Sequence, residues 1–284
     1  MKSVIITGVS TGIGYAAAKA LLSGGFRVFG SVRKKEDADR LQSDFGENYK
    51  PLFFDVTDEE AVISAANQVG QSLGENETIS GLVNNAGIAL GGPFLELPTA
   101  VFRKQLEVNV LGVVAVTKAF SKLLGCTKQS NTKGKIIMIS SVSGKRSYPF
   151  VAPYTASKHA LEGLSDSLRR ELLIYGIDVI LIEPGPIKTP IWNKAPAPDN
   201  SPFIGSDFET PLNKFYNYFM KKGKTGLSAD VIGNLILNIM NNSNPKTRYV
   251  VTKEKFNNYF LPGILPDRWL DRMIGKGLGL IRKD

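Results

Sequence analysis

A tyrosine and a lysine four residues apart, Tyr154 and Lys158, are the residues of this chain best suited to acid–base chemistry. In a helix this spacing places both side chains on one face, about one turn apart. A neighbouring cation favours the phenolate, so we expect Tyr154 to exchange a proton near neutral pH. Ser141, thirteen residues before the tyrosine, offers a hydroxyl to hold the oxygen that gains or loses this proton. Because many helices contain this spacing by chance, it predicts a reaction only if the chain also binds a cofactor.

The N-terminal segment has the pattern of such a binding site. The β-branched run 4–6 predicts a buried strand, and segment 15–22 favours a helix. The turn between them reads Thr7-Gly8-Val9-Ser10-Thr11-Gly12-Ile13-Gly14. Its glycines permit a sharp turn and let backbone N–H groups approach a pyrophosphate at the helix N-terminus. The spacing Gly-x-x-x-Gly-x-Gly departs from the Gly-x-Gly-x-x-Gly fingerprint, and a glycine-rich turn without a ligand is the alternative interpretation.

Three further segments complete a resemblance to a known family. They are Asn84-Asn85-Ala86-Gly87, Asn109-Val110-Leu111-Gly112 and Pro184-Gly185-Pro186-Ile187-Lys188-Thr189. With the glycine-rich turn and the Tyr154/Lys158 pair, five motifs follow one another in the expected order over about two thirds of the chain. The chain resembles the classical short-chain dehydrogenase/reductases, and loosely their retinol and 17β-hydroxysteroid dehydrogenase-like branch. The resemblance implies an oxidoreductase that transfers hydride reversibly between a nicotinamide cofactor and an alcohol or carbonyl group.

The resemblance implies a catalytic role for four residues. Tyr154 would exchange a proton with the substrate oxygen, and Ser141 would hydrogen-bond that oxygen. Lys158 would lower the pKa of the tyrosine and hold the nicotinamide ribose. Asn109 would hold a helix kink and a water that connects Lys158 to solvent. The only histidine, His159, would point about 100° away from Lys158 on a helix, so it is interpreted as structural.

The resemblance also implies a set of cofactor-binding residues. Besides Tyr154 and Lys158, these are Gly8, Ser10, Thr11, Gly12, Ile13, Gly14, Arg33, Asp55, Val56, Asn85, Ala86, Gly87, Pro184, Gly185, Ile187 and Thr189. The second predicted strand ends without an acidic residue for a ribose 2′-hydroxyl, and Arg33 stands there instead. A guanidinium grips a 2′-phosphate bidentately, which favours NADP(H) over NAD(H). Since Glu36 and Asp37 follow closely, a solvated turn is the alternative interpretation of this segment.

Composition excludes several classes of protein. With 284 residues, 43% hydrophobic and 21% charged, the chain fits a globular protein with a sizeable core. A single cysteine, Cys126, excludes an internal disulfide and a cysteine-rich metal site, and no metal is expected. The net charge of +9 comes without an aromatic-interleaved basic cluster, so no nucleic-acid partner is expected. With neither a signal peptide nor an apolar run long enough to span a membrane, the sequence predicts a cytoplasmic protein.

Apolar runs of strand length alternate with segments of helical pattern. The predicted strands are 2–7, 27–32, 50–55, 80–84, 135–140, 177–183 and 248–252, and the predicted helices are 13–24, 35–45, 58–73, 99–125, 154–175 and 228–241. This alternation predicts an α/β fold, with a parallel sheet covered by helices on both faces. By resemblance, residues 1–284 form a single Rossmann-fold domain with a doubly wound seven-stranded sheet of order 3-2-1-4-5-6-7 and right-handed crossovers.

Two segments interrupt this alternation. Residues 186–226 are rich in proline and aromatic residues, and the resemblance makes them a substrate lid with an apolar wall; packing of the lid helices is the alternative role for those aromatics. The extension 253–284 contains two apolar i, i+4 pairs, Trp269/Met273 and Leu270/Ile274, which predict a short amphipathic helix. Peripheral contact with a membrane and packing over the pocket or a partner subunit are the two roles considered for it.

The predicted substrate is a small-molecule alcohol or carbonyl compound, lipophilic and retinoid-, steroid- or long-chain-like. Small polar carbonyls and sugars are the alternative substrates, and a catalytically silent NADP(H)-binding redox sensor is the alternative function. An epimerase or dehydratase of the extended branch is disfavoured by chain length and by the glycine spacing. By resemblance, helices 99–125 and 154–175 form the contacts of a homodimer or homotetramer.

Overall fold

Seven parallel strands form one sheet in the computed structural model of the protein, which describes residues 1–74, 77–128, 130, 133–189, 203–253 and 255–282. The strands are β1 (Ser3–Ile6), β2 (Arg27–Val32), β3 (Tyr49–Phe53), β4 (Gly81–Asn84), β5 (Lys135–Ile139), β6 (Asp178–Pro184) and β9 (Arg248–Val251). Their order is β3-β2-β1-β4-β5-β6-β9, with every pair parallel. The predicted order is therefore confirmed, with β9 as the seventh strand of the sheet.

Two short strands, β7 (Ile187–Lys188) and β8 (Leu227–Ser228), pair in parallel beside the main sheet. The helices are α1 (Gly12–Ser23), α2 (Lys35–Phe45), α3 (Glu59–Ser72), α4 (Thr99–Leu106), α5 (Gly112–Phe120), α6 (Ala152–Glu171), α7 (Glu209–Lys224), α8 (Ala229–Asn241) and α9 (Asp267–Leu278). None of the helices in the described ranges is both long and apolar enough to cross a membrane.

The central strands are mostly apolar because the sheet is covered on both faces. Along β1, Val4 and Ile6 pack into the layer formed with α1 and α8, whereas Ile5 packs into the layer on the other face. All three side chains are fully buried. The alternation of side chains along each strand thus supplies two apolar layers, and these fix the positions of the loops at the carboxyl ends of the strands.

The predicted helix 99–125 is wrong as a single element. It is divided into α4 and α5 by one π-helical turn, Glu107–Leu111, and α5 ends at Phe120. A π turn is widened by one residue, which changes the direction of the side chains that follow. Asn109 lies within this turn, so the helix is irregular at the residue where a kink was expected.

The segments expected to interrupt the alternation are partly helical. Residues 190–202, which include Trp192, lie outside the described residues. Within the rest of the predicted lid, Ile187–Lys188 form β7 and Glu209–Lys224 form α7. The amphipathic helix expected near the C-terminus is present as α9, preceded by a π turn and a 3₁₀ turn between Phe256 and Gly263.

Candidate active site

The carboxyl ends of the strands open into one cavity of about 550 Å³, where the strand order reverses between β1 and β4. In open α/β sheets this reversal is the usual position of a ligand site. All the predicted cofactor-binding residues except Gly14 line the cavity, and so do Ser141, Tyr154 and Lys158. Asn109 does not line it. The structure therefore gathers residues from four of the five motifs at one position.

The glycine-rich turn requires glycine for reasons of backbone geometry. Gly8 and Gly12 have φ angles of 71° and 63°, a region that other L residues rarely adopt. A Cβ on the buried Gly14 would collide with the carbonyl oxygen of Gly8 and lie 2.5 Å from the Nδ2 atom of Asn85. Gly14 thus lets α1 pack closely against the turn. Thr11, at the start of α1, makes no side-chain cap, so the first N–H groups of the helix are not satisfied by that residue.

Two polar residues fix this turn: Asn85, which the sequence predicts as a site residue, and Thr7, which it does not. Asn85 Nδ2 donates to the carbonyl oxygens of Thr7 (2.8 Å) and Gly8 (3.0 Å). The hydroxyl of the buried Thr7 accepts from the backbone N–H groups of Asn85 and Ala86, both at 2.9 Å. Thr7 was not predicted as a site residue, although a threonine at the end of a buried strand, just before the first glycine, was the available signal.

Arg33 projects from the end of β2 at the rim of the cavity. Its guanidinium contacts Asp55 at 3.2 Å, and 71% of its side chain is exposed. Asp55 also accepts from the N–H and the hydroxyl of Thr57. Burial raises the pKa of the Asp55 carboxyl, but these hydrogen bonds and Arg33 outweigh it and lower that pKa overall. The two residues therefore form an exposed ion pair with donor groups of Arg33 still open to an anion.

Ser141, Tyr154 and Lys158 meet at the centre of the cavity. Ser141 follows β5 and its oxygen accepts from the N–H of Ser143 at 3.0 Å, while its hydroxyl also bonds the Tyr154 phenol. The Nζ atom of Lys158 donates to the carbonyl oxygen of Ile139 at 2.8 Å and lies 5.8 Å from the centroid of the Tyr154 ring. Residues from β5 and α6 are thus in contact, as their spacing predicted.

The electrostatic state of the tyrosine differs from the expectation. Burial raises the pKa of the Tyr154 phenol, and the hydrogen bond from Ser141 lowers it by less. Burial also lowers the pKa of Lys158 to about 8, although Glu162 opposes that change. Desolvation of the phenol therefore outweighs the lowering of its pKa that was expected from the neighbouring lysine. The phenol is held neutral, which is the form that can donate a proton.

Asn109 lies outside the cavity and contacts Ile88, a residue that lines it. Its Oδ1 atom accepts from the N–H of Ile88 at 2.9 Å, and its Nδ2 atom donates to the carbonyl oxygen of Ile88 and to Ser157, both at 3.0 Å. Gln105, one turn earlier in α4, makes a similar pair of contacts. Its Oε1 atom accepts from the N–H of Leu90, and its Nε2 atom donates to the carbonyl oxygen of Ile88. Asn109 therefore ties the loop after β4 to α6. Gln105 was not predicted, because a glutamine in an amphipathic helix carries no specific signal.

A network of charged side chains lies one turn beyond Lys158 on α6. The sequence does not predict it. Arg248 on β9 pairs with Glu162, with Asp166 at 2.8 Å and with Glu183 at 3.1 Å. Tyr259 donates to the second oxygen of Glu183 at 2.8 Å. Both glutamates are almost fully buried. The network joins α6, the last two strands of the sheet and the C-terminal segment. Its members are spread over almost a hundred positions of the sequence.

Aromatic side chains predominate at the other end of the cavity, where Lys222 also lines it. Phe150, Val151, Leu212 and Phe215 form a buried cluster, against which Tyr148, Tyr154, Phe203, Phe208, Phe219 and Leu278 pack. Phe150 has a φ angle of 64°, a conformation that is strained for a residue other than glycine. Its ring centroid lies 5.6 Å from that of Phe215 on α7. Several aromatics of the predicted lid therefore line the cavity or pack behind its wall.

The single histidine and the serines near Tyr154 lie on α6 and at the end of β5. His159 is exposed on α6, and its ring contacts the carbonyl oxygen of Thr155. The Ser157 hydroxyl donates to the carbonyl oxygen of Tyr154. The Ser140 hydroxyl lies near Gly144. Among the serines near the tyrosine, Ser141 is the one that bonds it.

Comparison with known proteins gives a consistent set of relatives. The sequence pattern of the family described as short chain dehydrogenase matches residues 2–200. The chain is 40% identical over 278 residues to an NADPH-dependent 3-dehydrocapnine reductase from Ornithobacterium rhinotracheale, with 98% of each chain covered. It is 36% identical over 200 residues to retinol dehydrogenase 7 from Rattus norvegicus, covering 70% of this chain and 61% of the relative.

Solved structures share this fold. A short-chain dehydrogenase from Streptomyces avermitilis superposes with a TM-score of 0.76 at 25% identity, covering 97% of both chains. A short chain dehydrogenase from Burkholderia cenocepacia J2315, solved in complex with NADP, superposes with a TM-score of 0.71 at 25% identity, covering 96% of this chain and 99% of the other. The likeness extends over nearly the whole length, so it includes the segments that surround the cavity.

Proposed function

Since the chain belongs to the short-chain dehydrogenase family, we propose that it is an NADP(H)-dependent oxidoreductase that reduces a lipophilic carbonyl compound to the alcohol. The observation that carries this proposal is the contact between Ser141 and a neutral Tyr154, with Lys158 beside them, in a cavity that also contains the glycine-rich turn. The NADPH-dependent relative from Ornithobacterium rhinotracheale and the NADP complex from Burkholderia cenocepacia support the choice of cofactor.

The cavity fits a phosphorylated dinucleotide. Backbone N–H groups at the start of α1 border it without a side-chain cap, which suits a pyrophosphate. Arg33 would hold the 2′-phosphate, while Asp55 and Val56 would border the adenine. Pro184, Gly185, Ile187 and Thr189 would close over the nicotinamide, together with Lys158. The bound cofactor supplies the hydride for reduction, and the protein supplies orientation and the proton.

The proton would come from Tyr154. Because the phenol is held neutral, it can donate to a carbonyl oxygen as that oxygen gains negative charge. Ser141 would hydrogen-bond the same oxygen and stabilise the charge. Lys158 would stabilise the phenolate left behind, since a cation near the ring favours that form. In the reverse direction the phenolate would accept the proton of the alcohol.

Asn109 would act in this scheme as a positioning residue. Its two contacts with Ile88 hold the loop after β4, and its contact with Ser157 reaches the helix that carries Tyr154 and Lys158. The path of protons from Lys158 to solvent, implied by the family resemblance, remains a prediction for this residue.

The substrate proposal rests on the aromatic end of the cavity. Phe215, Tyr218 and Phe219 of α7 line it at the i, i+3, i+4 spacing of one helix face. A face of this kind excludes water from an apolar substrate, whereas a sugar would leave its hydroxyl groups unpaired against it. The retinol dehydrogenase among the relatives is consistent with an apolar substrate. Residues 186–226 would form the lid over it, and the whole chain would act as one domain.

Association into a homodimer or homotetramer is part of the proposal. Four apolar side chains near α4 and α6 remain exposed in the single chain. Leu106 precedes the π turn and Leu111 is its last residue, whereas Leu173 and Ile174 follow α6. These are the elements that the resemblance assigns to subunit contacts. Exposed apolar side chains on both elements are consistent with such an interface.

The test is NADPH oxidation, with NADH in parallel, over carbonyl compounds that include retinal, steroid ketones, long-chain aldehydes, sugars and short ketones. We expect turnover with NADPH and lipophilic carbonyls, and a loss of about 10²- to 10⁴-fold in Tyr154→Phe, the range of general acid catalysis. Turnover confined to sugars or short ketones would contradict the substrate class. Tight NADPH binding without any turnover would favour the alternative of a redox sensor.

A further inference from the structure

Exposed apolar side chains are concentrated in the C-terminal segment. Of the twenty large apolar side chains that are exposed in the described part of the chain, eight lie between Phe256 and Ile281. They are Phe256, Phe260, Leu261, Ile264, Trp269, Met273, Leu280 and Ile281. Such a concentration within 26 residues marks an interaction surface, because scattered apolar residues are the ordinary case on a protein surface.

Four exposed side chains form a stripe along α9: Trp269, Arg272, Met273 and Lys276. They follow the i, i+3, i+4, i+7 spacing of one helix face. Trp269 is 68% exposed and Met273 58% exposed. No ion pair holds Arg272 or Lys276 within the described ranges. We call these four residues the Trp269 stripe.

Charge is segregated around the same helix. At about 100° per residue, Asp267 and Asp271 lie on the side of α9 opposite to Trp269, whereas Arg272 and Lys276 lie beside it. The stripe therefore combines two apolar side chains with two cations and no carboxylate. This pattern is complementary to a surface that is apolar beneath an anionic layer.

The inner face of α9 is already occupied. Leu270 and Ile274 are half-buried and Gly275 is buried. Leu278 packs against the aromatic cluster that contains Phe215 and Tyr154. The expectation that the C-terminal segment packs over the pocket therefore holds for this face. The packing holds α9 in place at the substrate end of the cavity and presents the Trp269 stripe outward.

We propose that the Trp269 stripe docks the protein on the surface of an anionic lipid bilayer. Indole and thioether groups enter the boundary between headgroups and acyl chains, and the flanking cations meet the anionic headgroups. This deepens the proposed function and rests on it, because the docked protein would take its apolar carbonyl substrate from the bilayer. Tyr218, exposed at the cavity on α7, lies on the helix against which α9 packs.

Vesicle flotation of the full chain tests the proposal without requiring turnover. The probes are vesicles of phosphatidylcholine alone and of phosphatidylcholine with phosphatidylglycerol at roughly 3:1, at low ionic strength. Trp269→Ala/Met273→Ala removes the apolar part of the stripe, and Arg272→Gln/Lys276→Gln removes its charge. Ile63→Ala/Val231→Ala is the matched control, since both side chains are exposed apolar residues distant in sequence from α9, and neither lines the cavity nor lies on the helices assigned to subunit contacts.

We expect the protein and the Ile63/Val231 control to float with the anionic vesicles and not with phosphatidylcholine alone. Each stripe variant should bind about tenfold more weakly or worse, since losing apolar contacts or cations removes the two attractive contributions. NADPH binding by every variant checks that it is folded. Equal flotation of the stripe variants, or no flotation of the unaltered protein, would overturn the proposal.

Two further measurements separate the possible failures. Sedimentation of the Trp269→Ala/Met273→Ala variant reports whether the stripe instead joins two copies of the chain; loss of a dimer without any vesicle binding would overturn the lipid proposal. Flotation of Tyr154→Phe tests docking in a protein without the proposed proton donor. Normal flotation with no carbonyl reduction by the unaltered protein would overturn the proposed function alone.

Discussion

The two ends of the cavity are built in different ways. At the glycine-rich end, short-range backbone geometry and a few hydrogen bonds from Thr7 and Asn85 fix the wall. At the aromatic end, side chains from the loop before α6, from α7 and from α9 meet only through tertiary packing. A dinucleotide presents the same phosphates in every such enzyme, so a local motif is sufficient to bind it. A substrate pocket has no such constant group, and it depends on elements far apart in sequence.

The largest expected effect comes from one methyl group at the glycine-rich end. In Gly14→Ala the new Cβ would collide with the Gly8 carbonyl and displace Asn85, so the turn cannot keep its conformation. We expect NADPH affinity to fall by at least about 100-fold, the equivalent of two or more lost charge-assisted hydrogen bonds. Fluorescence titration with NADPH measures this. Gly163→Ala on α6, where nothing lies within 4 Å of the new Cβ, is the matched control and should bind normally.

A change of cofactor preference is the next largest effect. In Arg33→Asp the guanidinium at the end of β2 is replaced by a carboxylate beside Asp55, which repels a 2′-phosphate. We expect NADPH affinity to fall by about 10- to 100-fold, with NADH affinity unchanged or improved. The ratio of kcat/KM for the two cofactors measures it. Lys34→Asp makes the same change of charge one residue away, at a position that does not line the cavity, and should change the ratio much less. Unaltered NADPH affinity in Arg33→Asp would refute the assignment.

The aromatic end should respond in a complementary way. Phe215→Ala removes a buried ring from the substrate wall, and we expect KM for a lipophilic carbonyl to rise by about tenfold, corresponding to about 1.4 kcal/mol of lost apolar contact. NADPH affinity should stay within about twofold. Since such a truncation also destabilises a core, Phe215→Leu provides a milder version with a smaller rise.

The matched control for this prediction is Tyr216→Ala, the neighbouring aromatic on α7 that does not line the cavity. It should leave both constants nearly unchanged. A loss of NADPH affinity in Phe215→Leu equal to the loss of substrate affinity would show that the two ends are not independent.

The contrast between the ends also explains what the sequence could predict. The residues around Gly8, Ser141 and Tyr154 form local motifs with a fixed spacing, and the family resemblance that rests on those motifs implied the strand order. Thr7 carried a weaker signal of the same kind. The network of Arg248, Glu162 and Glu183 carried none, since its members are ordinary charged residues until the fold brings them together.

The electrostatic state of Tyr154 could not be predicted either. Spacing indicates that a lysine is near, but it does not indicate how far the phenol is desolvated, and burial is the larger influence on its pKa. The helix break at Asn109 was implied by resemblance alone, because nothing in the apolar pattern of 99–125 marks a π turn. The position of α9 over the aromatic cluster likewise required the structure.

The most direct test of the central claim is a transfer experiment with stereospecifically 4-deuterated NADPH and a lipophilic ketone that the protein turns over. We predict that one of the two 4-deuterated forms delivers its deuterium to the carbinol carbon of the product, where mass spectrometry detects the label. We also predict that Tyr154→Phe binds the cofactor but yields almost no labelled alcohol. A product without deuterium from either form would contradict direct hydride transfer. Undiminished labelled product from Tyr154→Phe would contradict the assignment of the proton donor.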